Sequence, residues 1–421
     1  MLTTARSEFS PLAAKVIRIV GLVALSLWFL TGCGSSGSGG SPPPPVTPTI
    51  LAFDSDRALD GSDATNDGVW NIWTIKSDGS SATPITQLTG AAYPATNVGP
   101  KWSPDGSKIV FSSGRAFDGS NAADGPFGTL NIWVMNADGS GAKPLTKLTA
   151  AQTDCRAPVW SADGSKIAYY SARALDGSDT LASNPHNIWA MNADGSNDAP
   201  LTQLTTYGAD SYNPKWSPDG TKLAFESQRA LDGSNTGYTD LNIWVVNADG
   251  SAAVAITKLT ALLSYAEGIL WSKDGSKLLF TINVNNIWTA HPDGSGLTAL
   301  TNLNSSINFA DSWSPDGTKL IFDSTRTLDG TDNGQEQGNI WIMNADGSNS
   351  TPLTKLTKAT AASGVFSPDA TQIAYISFRA LNGSDAGALV NNIWLVQPDG
   401  TNTRPLTSLI KADSINPEWR P

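Results

Sequence analysis

The sequence predicts an all-β fold, a seven-bladed β-propeller built from four-stranded antiparallel blades. One repeated unit occurs along most of the chain at spacings of 42 to 60 residues, the spacing expected for blades. A second observation is that the repeats begin with half a blade and end with the other half. The most regular marker, Asn-Ile-Trp, starts at Asn71, Asn131, Asn187, Asn242, Asn286, Asn339 and Asn392.

Residues 213–260 show how one unit forms a blade. Ser217–Gly220 (Ser-Pro-Asp-Gly) suits a type I turn, because Pro presets φ and Gly supplies a left-handed residue at the end. The next strand contains Leu223–Phe225, which is apolar on both faces and therefore needs cover on both sides. A third strand is predicted at Asn242–Asn247, and a fourth ends near Leu259. The unit is a four-stranded antiparallel sheet.

Two incomplete copies predict how the ring closes. Ile415–Trp419 reads as a first strand with no hairpin partner after it, whereas Ile50–Arg57 reads as a second strand with no first strand before it. Together they complete one blade, so we expect the C-terminal strand to join the N-terminal blade. The other first-strand markers are Trp102, Trp160, Trp216, Trp271, Trp313 and Phe366.

The segment before the repeats predicts a bacterial lipoprotein. Residues 1–32 combine a basic start with an apolar run, Ile19–Leu30, that is too short to span a bilayer comfortably, as in a signal peptide. Leu30–Cys33 (Leu-Thr-Gly-Cys) resembles the lipobox of bacterial lipoproteins, which implies cleavage before Cys33 and its lipidation. In that family Gly34, rather than Asp, implies an outer-membrane protein facing the periplasm; an uncleaved anchor is the alternative.

Composition bounds the remaining domains and partners. Residues 33–49 are mostly Gly, Ser and Pro, so we expect a tether, followed by one propeller over residues 50–421. The formal net charge of −11 argues against nucleic acid, because phosphate binding needs a basic stripe. Cys33 and Cys155 are the two cysteines, so lipidation of Cys33 leaves no internal disulfide.

The repeated Trp-Ser-Pro-Asp-Gly, Ser-x-Arg, Asn-Ile-Trp-x-Met-Asn-Ala-Asp-Gly and Pro-Leu-Thr together resemble the WD40-like Pro-Asp repeats of the TolB family of periplasmic propellers. The resemblance covers roughly residues 50–421 and implies the propeller fold. TolB itself has six blades and an additional N-terminal domain, so partner contacts of that domain are not carried over. Similar repeats occur in some peptidases and in oligogalacturonate lyases, and the resemblance therefore does not decide the chemistry.

Neither of those chemistries is expected here. The peptidases carry an α/β-hydrolase domain, whereas the repeats occupy this sequence from about residue 50 onward. The lyases place several His on a metal, whereas this sequence has only His186 and His291, which a propeller puts on opposite faces. We expect both to be solvated loop residues. An enzyme would have to work with carboxylates alone.

Long loops between second and third strands share one face of the propeller with the connections between blades, which makes that face the better candidate for function. Six of these loops begin with an arginine, for which we expect carboxylate partners such as Asp154, Asp210 and Asp413, with anion binding as the alternative. The six are Arg57, Arg115, Arg173, Arg229, Arg326 and Arg379.

The same loops repeat Asp-Gly-Ser/Thr-Asp/Asn. Oxygens at the first, third and fourth positions suit part of a calcium cage, but an Asx-turn gives the same residues with no ion. We therefore expect no cofactor, with calcium as the alternative. The weak calcium candidates are Asp60, Asp63, Asp176, Asp179, Asp329 and Asp332.

The position four residues before each first-strand marker varies most. Aromatic and charged residues there and nearby suit a peptide or sugar ligand at the channel mouth, and rim aromatics without a ligand are the alternative. In blade 5, Phe280–Trp288 has no long loop, so we expect a notch over this blade through which a partner reaches the mouth. The candidate ligand-binding residues are Arg156, Tyr212, Tyr265, Glu267 and Phe309, with Tyr93, Tyr207 and Tyr238 on the same face.

These observations favour a non-catalytic binding or scaffold lipoprotein of the bacterial envelope, with a protein or peptide, or a glycan, as the partner. The alternatives are a carbohydrate-binding or carbohydrate-active protein that uses carboxylates, and a calcium-stiffened structural protein. Paired channel carboxylates with raised pKa values would favour the enzyme, whereas an aromatic, cation-poor mouth would favour binding.

Overall fold

The computed structural model describes residues 49–421, apart from residues 67, 90–95, 119–128, 151–152, 181–184, 207, 234–236, 262–263 and 336. The predicted signal peptide, Cys33 and all but the last residue of the tether lie outside the described residues. In the part that is described, the regular elements are β-strands. No helix in that part is long and apolar enough to cross a membrane.

Seven four-stranded sheets form the blades, numbered here in chain order, with each given from its inner to its outer strand. Blade 1 consists of β28 (Ser414–Trp419), β1 (Ile50–Ser55), β2 (Asn71–Lys76) and β3 (Thr83–Pro84), and blade 2 of β4 (Asn97–Trp102), β5 (Lys108–Ser113), β6 (Asn131–Asn136) and β7 (Lys143–Pro144). Blade 3 consists of β8 (Cys155–Trp160), β9 (Lys166–Ser171), β10 (Asn187–Asn192) and β11 (Ala199–Pro200). Blade 4 consists of β12 (Ser211–Trp216), β13 (Lys222–Arg229), β14 (Gly237–Asn247) and β15 (Val254–Ala255).

Blade 5 consists of β16 (Ala266–Trp271), β17 (Leu278–Ile282), β18 (Asn286–Ala290) and β19 (Thr298–Ala299). Blade 6 consists of β20 (Asn308–Trp313), β21 (Lys319–Ser324), β22 (Asn339–Asn344) and β23 (Thr351–Pro352). Blade 7 consists of β24 (Ala361–Phe366), β25 (Ile373–Arg379), β26 (Gly387–Val396) and β27 (Arg404–Pro405). First strands of successive blades contact one another all the way round, so they line the centre of the ring.

The predicted ring closure is confirmed. β28 pairs antiparallel with β1, with Leu51 opposite Trp419 and Ser55 opposite Ser414. First-strand tryptophans also join neighbouring blades, because the Trp102 indole donates to the carbonyl of Glu418 at 3.2 Å. Equivalent bonds run from Trp160 to Lys101, from Trp271 to Lys215 and from Trp419 to Val365. The seven-bladed all-β fold is the one that the repeats predict.

Two strand boundaries differ from those predicted. The third strand of blade 4 begins at Gly237 rather than Asn242, because the hairpin continues until Arg229 lies opposite Gly237. Blade 7 has a similar extension, with Arg379 opposite Gly387. The fourth strand of blade 4 is Val254–Ala255, well short of Leu259.

Hydrogen bonds explain why Asn-Ile-Trp and Pro-Leu-Thr recur together. In blade 3 the buried Asn187 amide oxygen accepts from the Leu204 N–H and the Thr202 hydroxyl, both at 2.8 Å. Its amide nitrogen donates to the Leu204 carbonyl at 3.0 Å, and Thr202 accepts the Ile188 N–H at 2.9 Å. One buried side chain thus pairs with the backbone N–H and C=O groups at the point where the chain leaves the blade. An apolar residue in its place would leave those groups unpaired.

The Ser-Pro-Asp-Gly turns also form as predicted. Gly220 has a φ of 68° and donates its N–H to the Ser217 carbonyl at 2.9 Å. Asp219 accepts the Ser217 hydroxyl at 2.5 Å and the Thr221 N–H at 3.0 Å. These tight turns form one face of the ring, called here the short-turn face. The opposite face, which carries the second-to-third and fourth-to-first connections, is the long-loop face.

Candidate functional site

The six loop arginines lie over the tryptophans of the third strands, with guanidinium-to-ring distances of 3.8 to 5.0 Å. The three aspartates named as examples of their partners bind elsewhere among the described contacts, as described below. Arg173 does form an ion pair, with Asp198 at 2.5 Å. Cation–π stacking on a buried indole holds the guanidinium where a carboxylate was expected. These arginines fasten the start of each long loop to its own blade.

The three aspartates that were expected to pair with the arginines bind backbone instead. Each precedes a first strand and accepts the backbone N–H of the residue just before Asn-Ile-Trp in the preceding blade: Asp154 from Leu130 at 2.8 Å, Asp210 from His186 at 2.7 Å, and Asp413 from Asn391 at 2.6 Å. They join successive blades on the long-loop face.

The Asp-Gly-Ser/Thr-Asp loops have two distinct parts. At the first position Asp60, Asp176 and Asp329 each accept the N–H two residues later at 2.8 to 2.9 Å, which is an Asx-turn. At the fourth position Asp179 and Asp332 accept N–H groups from the connection that leads into the same blade. Asp63 does the same toward the chain leading into β28. Among the described residues no cluster of three metal-ligating side chains occurs. Calcium remains a prediction to be tested.

The seven residues four positions before the first-strand markers lie near the long-loop ends of the first strands, are all partly exposed and are called here the channel mouth: Val98, Arg156, Tyr212, Glu267, Phe309, Ala362 and Ile415. Arg156 pairs with Asp154 at 2.7 Å, and Tyr212 packs edge-on against Tyr170 with ring centroids 5.3 Å apart. Phe309 lies opposite Asp323 in the next strand. Tyr93 and Tyr207 lie outside the described residues, as does the side chain of Tyr238. The mouth thus carries aromatic and charged groups.

His186 belongs to an aromatic cluster and is not simply a solvated loop residue. Its ring lies 5.5 Å from that of Tyr170 and 5.2 Å from that of Tyr212. Its Nδ1 lies 2.9 Å from the Asp210 carboxylate. Burial acts to raise the pKa of Asp210, but hydrogen bonds from His186 outweigh it and lower the pKa. His186 therefore orders the mouth between blades 3 and 4.

Glu267 and Glu226 form an acidic pair beside the notch. Burial raises the pKa of both, and that of Glu226 reaches about 7. Glu226 accepts the Asn213 side-chain amide at 2.9 Å and the Gly268 N–H at 3.0 Å. Glu267 Oε1, in contrast, is buried and accepts no hydrogen bond from a described residue. Glu267 is thus a mouth carboxylate with an oxygen that no described group satisfies.

Other buried carboxylates of the channel hold blades together. Asp54 accepts the Gly99 N–H of the next blade at 3.1 Å, and Asp323 accepts that of Ser363 at 3.0 Å. Gly99 and Ser363 have positive φ values at a β-bulge of the first strand, which turns their N–H groups toward the carboxylates. Burial raises the pKa of Asp54 to about 7 and also that of Asp323, which is hydrogen-bonded to Asp311. The raised pKa values thus accompany structural bonds to the backbone.

Basic and acidic side chains also lie together in the channel, closer to the short-turn face. Lys101 pairs with Glu418 at 2.6 Å, and these residues immediately precede Trp102 and Trp419. Lys215 has the equivalent position in blade 4, where burial, with Lys101 adding to it, lowers its pKa to about 8. The channel is therefore not purely acidic, and its charges are grouped by depth.

The short connection that predicts a notch over blade 5 is confirmed. Three residues, Asn283 to Asn285, join β17 to β18, and Asn283 and Val284 have φ values of 53° and 55°. A positive φ at a β-branched residue is rare and strained, so neighbouring bonds must hold it. Asn283 exchanges two hydrogen bonds with the Tyr265 backbone, at 2.8 and 3.0 Å, and the Val284 carbonyl accepts the Asn308 N–H at 2.7 Å. Hydrogen bonds to both flanking segments thus hold the short connection in place.

Sequence reasoning missed the blade-joining carboxylates and the aromatic partners of Tyr212. Asp54, Glu226 and Asp323 occupy one position of the second strand, directly after the apolar run. A carboxylate at a position that otherwise holds Ser, Tyr, Thr or Ile is a visible signal. Its partner is not visible, because the accepted N–H belongs to the next blade.

Comparisons with known proteins agree with the fold. No family model matches the chain. It is 29% identical over 127 residues to an uncharacterized peptidase of Bacillus subtilis, YuxL, covering 30% of this chain and 17% of that protein. It is 29% identical over 192 residues to an uncharacterized protein of Agrobacterium fabrum, Atu1656, covering 45% and 59%. The matches thus span less than two thirds of either relative.

Similar solved structures include a puromycin hydrolase (13% identity, 86% of this chain and 52% of that one, TM-score 0.58) and an oligogalacturonate lyase in complex with manganese (16%, 82% and 90%, TM-score 0.53). A candidate TolB from Agrobacterium tumefaciens shares 16% identity over 89% of this chain and 100% of that one, with a TM-score of 0.41. At these identities the likeness shows the fold alone. The seven four-stranded blades themselves are established by the strand pairing.

Proposed function

We propose that this protein is a non-catalytic binding module of the bacterial cell envelope, and that a partner segment binds the channel mouth through the notch over blade 5. The notch carries the proposal. It leaves Tyr265 and Glu267 beside a three-residue connection, whereas the other blades have long loops at that position. A buried Glu267 oxygen with no partner among the described residues, and the partly exposed Tyr212 and Phe309, supply polar and aromatic groups.

Three of the channel carboxylates already have structural partners. Asp54, Glu226 and Asp323 accept backbone N–H groups of neighbouring blades, so moving a proton on one of them would disturb the ring. A general acid or base must instead reach the substrate. For these three groups a structural role accompanies the raised pKa values.

Alanine at Tyr265, Glu267 and Phe309 together should abolish partner capture. The soluble domain, immobilised and exposed to envelope extract, would be analysed by mass spectrometry for proteins that the wild type retains. A matched control carries Lys108→Ala and Lys319→Ala on the short-turn face. We expect the control to retain the partner and both variants to melt like the wild type. Capture that survives the triple change but is lost in the control would contradict the proposal.

The lipobox-like Leu30–Cys33 supports lipid anchoring of the propeller, which we place at the outer membrane facing the periplasm. Two or more acyl chains give stable anchoring, and lipoprotein processing supplies them. Metabolic palmitate labelling should mark the wild type, whereas Cys33→Ser should take up no label and leave the membrane fraction. Unlabelled wild-type protein would contradict the anchor.

A carbohydrate-active function is the second candidate, and the Glu226–Glu267 pair favours it. Two carboxyls with raised pKa values at a channel mouth are suited to acid–base chemistry. Turnover of oligosaccharides by the wild type, lost in Glu267→Gln, would support this function over simple binding.

A further inference from the structure

The connection that leads into blade 3 is a carboxylate-binding site filled by the chain itself. Asp179 accepts the Thr149 N–H at 2.5 Å, the Thr149 hydroxyl at 2.8 Å, the Ala150 N–H at 3.0 Å and the Thr153 hydroxyl at 2.9 Å. Burial acts to raise the pKa of Asp179, but these bonds outweigh it and lower the pKa. The arrangement of donors therefore stabilises an ionised carboxylate.

Three other blades repeat this arrangement. Asp332 accepts the N–H groups of residues 304 to 306 at the connection into blade 6. Asp385 accepts those of residues 357 to 359 leading into blade 7, and Asp63 accepts those of residues 410 and 411 leading into blade 1. In each case the carboxylate comes from the long second-to-third loop of the same blade. The site is thus a regular part of the long-loop face.

The connection into blade 5 matches that of blade 3 residue by residue. Leu259-Thr260-Ala261 corresponds to Leu148-Thr149-Ala150, and Ser264 corresponds to Thr153. Both leucines donate their N–H to the Asn of Asn-Ile-Trp, at 2.8 and 2.7 Å. Ser264 donates its N–H to the Ala261 carbonyl at 2.9 Å, as Thr153 does to that of Ala150 at 3.3 Å. The local backbone is therefore built alike.

Blade 5 has no long loop, so it has no aspartate to place against these donors. Ser264 is 7% exposed, and its buried hydroxyl has no hydrogen-bond partner among the described residues. Thr260 and Ala261 are exposed, and no described residue accepts their N–H groups. A buried hydroxyl without a partner is costly, which favours a ligand that supplies one.

The surroundings add a guanidinium, one carboxylate and space. Thr260 lines a cavity of about 130 Å³ together with Arg229, Leu231 and Asp232. The Arg229 guanidinium stacks over Trp244 at 4.6 Å, which fixes a cation beside the donors. Asp232 is the one acidic group among the cavity's lining residues. An arriving carboxylate thus meets hydrogen-bond donors and a guanidinium.

We propose that Thr260, Ala261 and Ser264 bind an aspartate or glutamate side chain of a partner peptide, in the way that Thr149, Ala150 and Thr153 bind Asp179. This deepens the proposed function and rests on it, because the site adjoins the notch and names the group that the partner presents. The mouth residues Tyr265 and Glu267 follow Ser264 directly in the chain.

A peptide with the sequence of residues 173–179, acetylated and amidated at its ends, is the probe. Titrated into the soluble domain, it should shift the amide NMR signals of Thr260 and Ala261. The same peptide with Asp179→Asn should bind at least about ten-fold more weakly, since charged hydrogen bonds are lost. Ser264→Ala combined with Thr260→Val should weaken the aspartate peptide by a similar factor.

Thr149→Val with Thr153→Ala is the matched control, because it removes the same hydroxyls where Asp179 already binds. It should lower the melting temperature and leave peptide binding unchanged. Replacing residues 283–285 by the blade 3 loop, residues 172–186, should raise the melting temperature and abolish peptide binding.

Equal binding of the aspartate and asparagine peptides would overturn the proposal, as would full binding by the Ser264 and Thr260 variant. Acetate that shifts the two amide signals as strongly as the peptide at equal concentration would overturn the assignment to a peptide. If partner capture is lost in the Tyr265, Glu267 and Phe309 variant yet survives in the Ser264 and Thr260 variant, this inference fails while the proposed function stands.

Discussion

Single buried carboxylates join the blades of this propeller where other blades use apolar or hydroxyl side chains. Asp54, Glu226 and Asp323 each reach an N–H at a bulge of the next blade, whereas Ile376 occupies the equivalent position in blade 7. Such a group is costly if it is ionised without adequate partners. Its protonation state therefore contributes to the stability of the ring.

Stability should fall as the pH rises from about 5 to 8. Burial raises the pKa of Asp54 from 3.8 and that of Glu226 from 4.5, both to about 7, so the folded state binds protons that the unfolded state has released. The stabilisation is fully present below the unfolded pKa and is lost as the pH passes the folded pKa. Urea unfolding should show a loss of about 2 kcal/mol from Glu226 alone over this range.

Glu226→Gln removes the titrating group and keeps the amide contacts, so it should flatten the pH dependence by that amount. A wild type that gains stability from pH 5 to 8, or a Glu226→Gln variant with an unchanged slope, would contradict the assignment. The apolar run before Glu226 predicts a buried strand, but not the bond to Gly268, because that contact joins different repeats.

At the scale of elements, the long loops are fastened at two points. The first arginine stacks on the tryptophan of its own blade, and the last aspartate binds the connection leading into the blade. The sequence predicts the position and turn chemistry of these loops. It does not predict that Arg173 prefers an indole, because stacking and ion pairing use the same residue type.

Asp179→Asn should lower the melting temperature by several degrees, since it removes a charged acceptor of four donors. Calcium or a chelator should leave the melting temperature of the wild type unchanged, because the loop carboxylates already bind N–H groups. Thermal scans with and without calcium measure both effects. A large calcium-dependent shift of the melting temperature would instead identify loop aspartates as calcium ligands, the candidates being Asp60, Asp63, Asp176, Asp179, Asp329 and Asp332.

For the whole molecule, the repeats predict blade number, strand order and ring closure, because each marker occupies one place in a blade. The mouth is less predictable. Arg156 and Tyr212 are visible as variable positions, but the cluster of Tyr170, His186 and Tyr212 forms only when two blades meet. The notch is predictable, since the missing loop is a property of the sequence itself.

The central claim is that a partner binds the mouth over blade 5. Photo-crosslinking in intact cells tests it most directly, with a photoreactive phenylalanine analogue at Tyr265 and, in a second strain, at Lys319 on the short-turn face. The account predicts a crosslinked partner from position 265 and none from position 319. A partner captured from position 319 alone, or equally from both positions, would contradict it.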